Sequence, residues 1–136
     1  MSTSRPVVVH HPDEGLPGQP TPDSERLHHW ERDGRWAAWI RNDAGDVSGW
    51  HHHADNDTYV YVSRGSLTID FGPGGAERVE AGPGDFVFVP PHTVHRETTG
   101  SDIDLDAFVI RMGGEPEHVR LDGPDPGLIR GGTHRR

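Results

Sequence analysis

The chain contains no cysteine among its 136 residues, which excludes disulfide frameworks, thiolate metal sites and cysteine nucleophiles together. Any metal site here must use nitrogen and oxygen ligands. Apolar residues are scarce, at 31%, and no run of about 18 of them occurs, so a membrane-spanning helix is not expected. The start, Met1 to Gly15, carries only the short run Val7-Val8-Val9. That is too short for the apolar core of a secretory signal, and a cytoplasmic location is the expectation. Basic charge is also in short supply. With 13 basic against 22 acidic residues the formal charge is −9, which repels a phosphate backbone or an anionic bilayer at long range. Neither nucleic acid nor a membrane is expected as a partner.

What the chain does have is concentrated. Most apolar residues fall between Trp36 and Met112, while 18 glycines and 12 prolines punctuate the whole. From residue 35 onward, short apolar runs alternate with Gly, Pro, Asn and Asp, and no segment has a 3.6-residue period, so the expected class is all-β. The runs predict strands at Arg35 to Arg41, Val47 to His53, Thr58 to Ser63, Ser66 to Phe71, Glu77 to Glu80, Phe86 to Val89, Val94 to Thr98 and Leu105 to Met112. Arg64-Gly65 reads as a tight hairpin, and Gly72 to Gly75 and Gly82 to Asp85 read as turns. Length suits one domain. The expected division is an N-terminal arm over 1–27, a barrel over 28–112 and a C-terminal arm over 113–136, with a further short strand near Leu27 to Trp30 available to a sheet edge.

Eleven histidines are sorted by position. His10, His11, His118 and His134 lie in the polar arms and are assigned to solvent. His51 and His53 sit two apart on a strand, so alternation projects both imidazoles to one face and His52 to the other. Two imidazoles on one face make half a metal site.

The tract Gly84-Asp85-Phe86-Val87-Phe88-Val89-Pro90-Pro91-His92-Thr93-Val94-His95 completes a pattern that resembles the cupin superfamily over roughly residues 35 to 112. The first cupin motif runs Gly, five residues, His-x-His, three or four residues, Glu, six residues, Gly. It places its histidines at His51 and His53 and its closing glycine at Gly65. The second runs Gly, five residues, Pro-x-Gly, two residues, His, three residues, Asn, and places its glycine, proline and histidine at Gly84, Pro90 and His95. Thr58 stands where the family carries its glutamate ligand, with Asp57 the adjacent acidic alternative. His92 replaces the second motif's glycine and Thr99 its asparagine.

The resemblance implies a double-stranded β-helix, the cupin jelly-roll barrel, holding one divalent transition metal (Fe, Zn, Ni, Mn or Cu) through His51, His53 and His95. It also implies a homodimer. Three neutral ligands leave coordination positions for water, oxygen or a chelating anion. By alternation from His95, Glu97 faces the same side, as a general base, a partner for an imidazole or a substitute ligand, against the alternative of a salt-bridged carboxylate at the rim. Arg111 is placed to pair with Glu97, with an anionic substrate or with solvent. Tyr59 and Tyr61 share one strand face, as do Phe86 and Phe88, and both pairs are read as packing or partner contacts. The expected function is a metal-dependent small-molecule enzyme, a dioxygenase or related oxidoreductase with Fe(II), acting on a chelating or enolisable substrate. The alternatives are a non-redox Lewis-acid isomerase or cyclase and a non-catalytic ligand-binding cupin.

Overall fold

A computed structural model describes Val7, Val9, Leu16, Pro17 and residues 25–127. Most of the expected N-terminal arm and the last nine residues lie outside the described residues. Among the described residues eleven strands run in chain order: β1 (Leu16–Pro17), β2 (Glu25–Arg32), β3 (Arg35–Asn42), β4 (His51–His52), β5 (Asp57–Arg64), β6 (Leu67–Phe71), β7 (Glu77–Ala81), β8 (Phe86–Val89), β9 (His95–Thr99), β10 (Leu105–Met112) and β11 (Val119–Arg120). They form two antiparallel sheets, one ordered β1-β2-β3-β10-β5-β8 and the other β11-β4-β9-β6-β7. This is the double-stranded β-helix expected from the sequence, and the described residues contain no α-helix.

Period-two alternation decides what faces inward. Along β10 the buried residues are Leu105, Ala107, Val109 and Arg111, with the intervening positions half-exposed. Trp36 and Ala38 on β3, Val60 and Val62 on β5 and Leu67 and Ile69 on β6 complete the core between the sheets. Removing a fully buried side chain of this size to Ala typically costs about 2–5 kcal/mol, because the close-packed surroundings relax only in part.

Two expectations are corrected here. Arg64-Gly65 does not close a hairpin, because β5 pairs with β10 and β8 whereas β6 pairs with β7 and β9. β5 and β6, adjacent in sequence, belong to opposite sheets, and the turn is a crossover. Gly65 takes φ 84° there, and a Cβ would stand 2.6 Å from the Asp104 carbonyl oxygen. Only glycine fits this approach without strain. The second correction concerns the stretch after Met112, read as an arm. It sends β11 into the second sheet, where Val119 pairs with His52 and Arg120 with His51. Side chain and backbone hold it: Asn56 Nδ2 donates to the carbonyls of Gly114 and Pro116 at 2.8 and 3.3 Å, and Leu121 N–H donates to Trp50 O at 2.9 Å.

Candidate metal centre

β4 carries His51, the turn after it carries His53, and β9 carries His95 directly opposite His51 in the sheet register. All three rings point between the sheets and are nearly sealed, with exposures of 5%, 4% and 0%. Their centroids lie 4.3 to 5.1 Å apart. Glu97, two residues beyond His95 on β9, turns to the same side. One ligand atom from each of these four residues falls within 4.8 Å of every other. The alternation argument for Glu97 therefore holds in space, and its carboxylate joins the cluster.

Backbone carbonyls fix the tautomers. His51 Nδ1 donates to Gly49 O at 2.8 Å, His53 Nδ1 to Glu117 O at 2.9 Å and His95 Nδ1 to Thr93 O at 2.8 Å. A carbonyl oxygen only accepts, so each Nδ1 bears the proton and each neutral ring presents an Nε2 lone pair to the interior. Glu97 Oε2 lies 3.2 Å from His95 Nε2 and 3.8 Å from His51 Nε2. Lone pairs facing a carboxylate at that range repel unless a positive charge lies among them. A metal cation meets this requirement, and the donor set of three imidazoles and one carboxylate suits a divalent transition ion.

The electrostatics favour the deprotonated ligands. Burial lowers the His51 pKa from 6.5 to about 4, against the pull of Glu97. Burial, aided by the Arg111 charge, pushes His53 far below the ordinary imidazole range. Burial pushes Glu97 upward, but any positive charge carried among His95, His51 and His53 outweighs that and holds its carboxyl well below the usual carboxylate range.

The other sequence candidates separate cleanly. Thr58 faces inward and is buried, but its hydroxyl accepts from Arg111 Nε at 2.9 Å. Asp57, one position along β5, falls on the opposite face and is not among the four clustered residues. Arg111, weighed as a solvated charge, is instead buried, with its guanidinium 4.9 Å from the Trp36 ring centre and Nη2 3.5 Å from His53 Nε2. His52 and His92 meet outside the barrel at 5.5 Å, where His92 Nε2 contacts Asp55 Oδ1 at 2.6 Å. His92 holds φ 57°, the left-handed conformation for which the family uses glycine at this place.

His118 had been assigned to solvent, and the structure overturns that. It lines the pocket, and its ring stacks on His51 at 4.6 Å with an 18° interplanar angle. Arg120, in no sequence motif, also lines the pocket, and its Nη2 stands 3.3 Å from where a Cβ on Gly49 would be. Neither residue carried a motif signal, since both depend on β11 joining the sheet. Gly45, separated from His51 by five residues, supplies the first motif's opening glycine and takes φ 82°. Ile40, Val60, Leu67, Ile69 and Val109 give the pocket an apolar side, and Asn42, Asp46 and Ser48 add polar groups to its lining.

The family model for the cupin domain matches residues 39–111. The chain is a cupin. No curated protein sequence matches it, and solved structures extend the likeness in fold. The polyketide cyclase RemF from Streptomyces resistomycificus is 17% identical with a TM-score of 0.69, covering 85% of each chain. A cupin sugar phosphate isomerase from Silicibacter pomeroyi is 18% identical with a TM-score of 0.61, covering 75% of this chain and 68% of its own. The DMSP lyase DddQ from Ruegeria pomeroyi is 22% identical with a TM-score of 0.61, covering 73% of this chain and 52% of its own. At these identities the likeness establishes the barrel, and the chemistry rests on the site.

Proposed function

We propose that this cupin is a metal-dependent enzyme that acts on a small chelating anion or enolisable compound by non-redox chemistry, as an isomerase, cyclase or lyase does. The observation that carries the reading is the convergence of His51, His53, His95 and Glu97 within 4.8 Å, with His51, His53 and Glu97 on the wall of a pocket. A divalent ion bound there supplies Lewis acidity toward a carbonyl or enolate oxygen. Three neutral imidazoles and one carboxylate leave a site with a divalent ion at net +1, and Arg111 adds a further positive charge beside His53. An anionic oxygen is drawn to that end of the pocket, while the apolar wall accepts the rest of the molecule and excludes water. Glu97, kept ionised by its neighbours, serves as the fourth ligand, taking over from β9 the charge that Thr58 cannot supply.

The similar structures named above, a cyclase, an isomerase and a lyase, support the non-redox direction. An Fe(II) dioxygenase is the second reading, favoured by the three-histidine set, which accepts iron as readily as zinc on ligand type. The deciding experiment loads the protein with zinc or with Fe(II) and follows turnover of enolisable dicarbonyl compounds with and without oxygen. Turnover by the zinc form under argon is expected. Activity confined to the iron form and accompanied by oxygen uptake would establish the dioxygenase instead, and absence of turnover with every metal would make the protein a ligand-binding cupin.

A further inference from the structure

β11 is an edge strand of the five-stranded sheet, beside β4, and its register decides which of its side chains turn inward. Residues directly opposite one another in an antiparallel pair project to the same face. Arg120 stands opposite His51 and Val119 opposite His52, so Arg120 shares the inward face with His51, and His118, two residues back, shares it too. The stacking of His118 on His51 agrees with this direction. Arg120 therefore flanks His51 on one side of β4, while β9, with Glu97, flanks it on the other. The guanidinium of Arg120 lies across Gly49, with Nη2, Nε and Cζ 3.3, 3.7 and 3.8 Å from where a Cβ would stand. A side chain at position 49 would crowd it. The backbone beneath is tied down, since the next residue, Leu121, donates its N–H to Trp50 O at 2.9 Å.

Four charged side chains line the pocket: Asp46, Glu97, Arg111 and Arg120. Glu97 belongs to the metal cluster, and Arg111 is buried with its Nε on Thr58 and its guanidinium over Trp36. Arg120 is different. It is exposed, and among the described residues no carboxylate pairs with it. Asp46 stands at the far end of the segment leading into β4, where its carbonyl accepts from Thr99 N–H at 2.8 Å, at the opposite end of β9 from His95. The lining is thus polarised, so that an anionic group is repelled near Asp46 and drawn toward Arg120. A guanidinium presents a planar fork of N–H donors that matches two oxygens of an oxyanion at once.

We infer that Arg120 binds a second, acidic group of the substrate, a carboxylate or a phosphate, while the chelating oxygens of the same molecule lie at the metal cluster. This rests on the metal-dependent reading above and narrows its substrate class to small compounds with an enolisable or chelating head and an acidic tail. Arg120 is then a specificity-determining residue. Because it is exposed, water and salt weaken its pull, and the preference it confers is about 10-fold in affinity.

Calorimetric titration of the zinc-loaded full chain tests this with two pairs of compounds. Succinylacetone carries the dicarbonyl head of acetylacetone with a carboxylate on its tail, and dihydroxyacetone phosphate carries the ketone of dihydroxyacetone with a phosphate. The wild type is expected to bind the acidic member of one pair about 10-fold more tightly than its partner, and the pair that shows the preference identifies the oxyanion as carboxylate or phosphate. Arg120→Gln should abolish the preference while leaving metal content and the affinity for the tail-free compound unchanged, and Arg120→Lys should keep part of it. If Arg120→Gln loses its metal, Arg120→Met, which keeps the stem across Gly49, takes its place under the same criteria. A preference that persists without the guanidinium overturns the inference, as does an equal weakening of both members of a pair, which marks a structural role. Equal affinity of the wild type for both members of each pair also overturns it, yet leaves the metal-dependent reading standing because the heads still bind. Failure of all four compounds to bind overturns it and counts against that reading as well.

Discussion

At the metal centre each histidine is committed before any ion arrives, because its Nδ1 proton is taken by a backbone carbonyl and its Nε2 lone pair is left facing inward. Glu97 completes the set from the same strand as His95. Removing its charge should therefore weaken binding of the ion as well as turnover. Glu97→Gln is expected to lower metal affinity by about 10- to 100-fold, measured by competition with a chelator, whereas His51→Ala with His53→Ala and His95→Ala removes the metal altogether. A full metal complement with lost turnover in Glu97→Gln would instead make Glu97 a general base. Thr58→Ala should leave metal content unchanged while loosening Arg111, whose Nε it holds at 2.9 Å. Loss of a hydrogen bond to a charged donor costs about 1.5–3 kcal/mol, readable in the denaturation midpoint.

Among the elements, β11 matters most for its length. Two residues pair with β4, yet the segment leading to them delivers the Glu117 carbonyl to His53, the Glu117 carboxylate to Trp36 Nε1 at 2.8 Å and the His118 ring to His51. Gly113 permits the entry, since a Cβ there would stand 2.7 Å from Asn56 Cα. Truncation after Gly127 is expected to leave unfolding and metal content as in the full chain. Truncation after Met112 should weaken metal binding by about 10- to 100-fold, because it strips the partner that orients the His53 ring. Equal metal affinity in the two truncations would show that β11 contributes nothing to the site.

For the whole molecule, buried neutral histidines make stability depend on pH in a definite direction. The His51 pKa falls from 6.5 when unfolded to about 4 when folded. Between those values the unfolded chain binds a proton that the folded chain does not, so stability declines as pH falls from 6.5 toward 4. His53, lowered further, adds to the decline in the same direction. Each such group contributes up to about 1.4 kcal/mol per pH unit. Metal-free protein should thus show a Tm that drops steadily below pH 6.5, and metal-loaded protein should release its ion over the same range as protons compete for the ligands. A Tm independent of pH between 7 and 5 would contradict the burial of both rings.

The sequence by itself determined the strands of the barrel from Arg35 to Met112, apart from Val47 to His53, of which only His51–His52 forms a strand, together with the placing of His51 and His53 on one face and the register that adds His95. These are local properties, set by alternation and by turn residues. Alternation also carried Glu97 to the correct side. Only the tertiary structure decided that Glu97 rather than Asp57 or Thr58 joins the histidines, because that depends on how β9 lies against β4 across the sheet. It likewise decided that His118 and Arg111 belong to the pocket. His118 sits in a Gly- and Pro-rich stretch with no periodicity, and its place follows from pairing with a strand some 67 residues earlier in the chain. Arg111 reads as a surface charge until its strand is seen to run between β3 and β5, where the inward position is sealed by Trp36 and Thr58. Long-range pairing has no local signature, and the residues it brings to the site are the ones a linear reading misses.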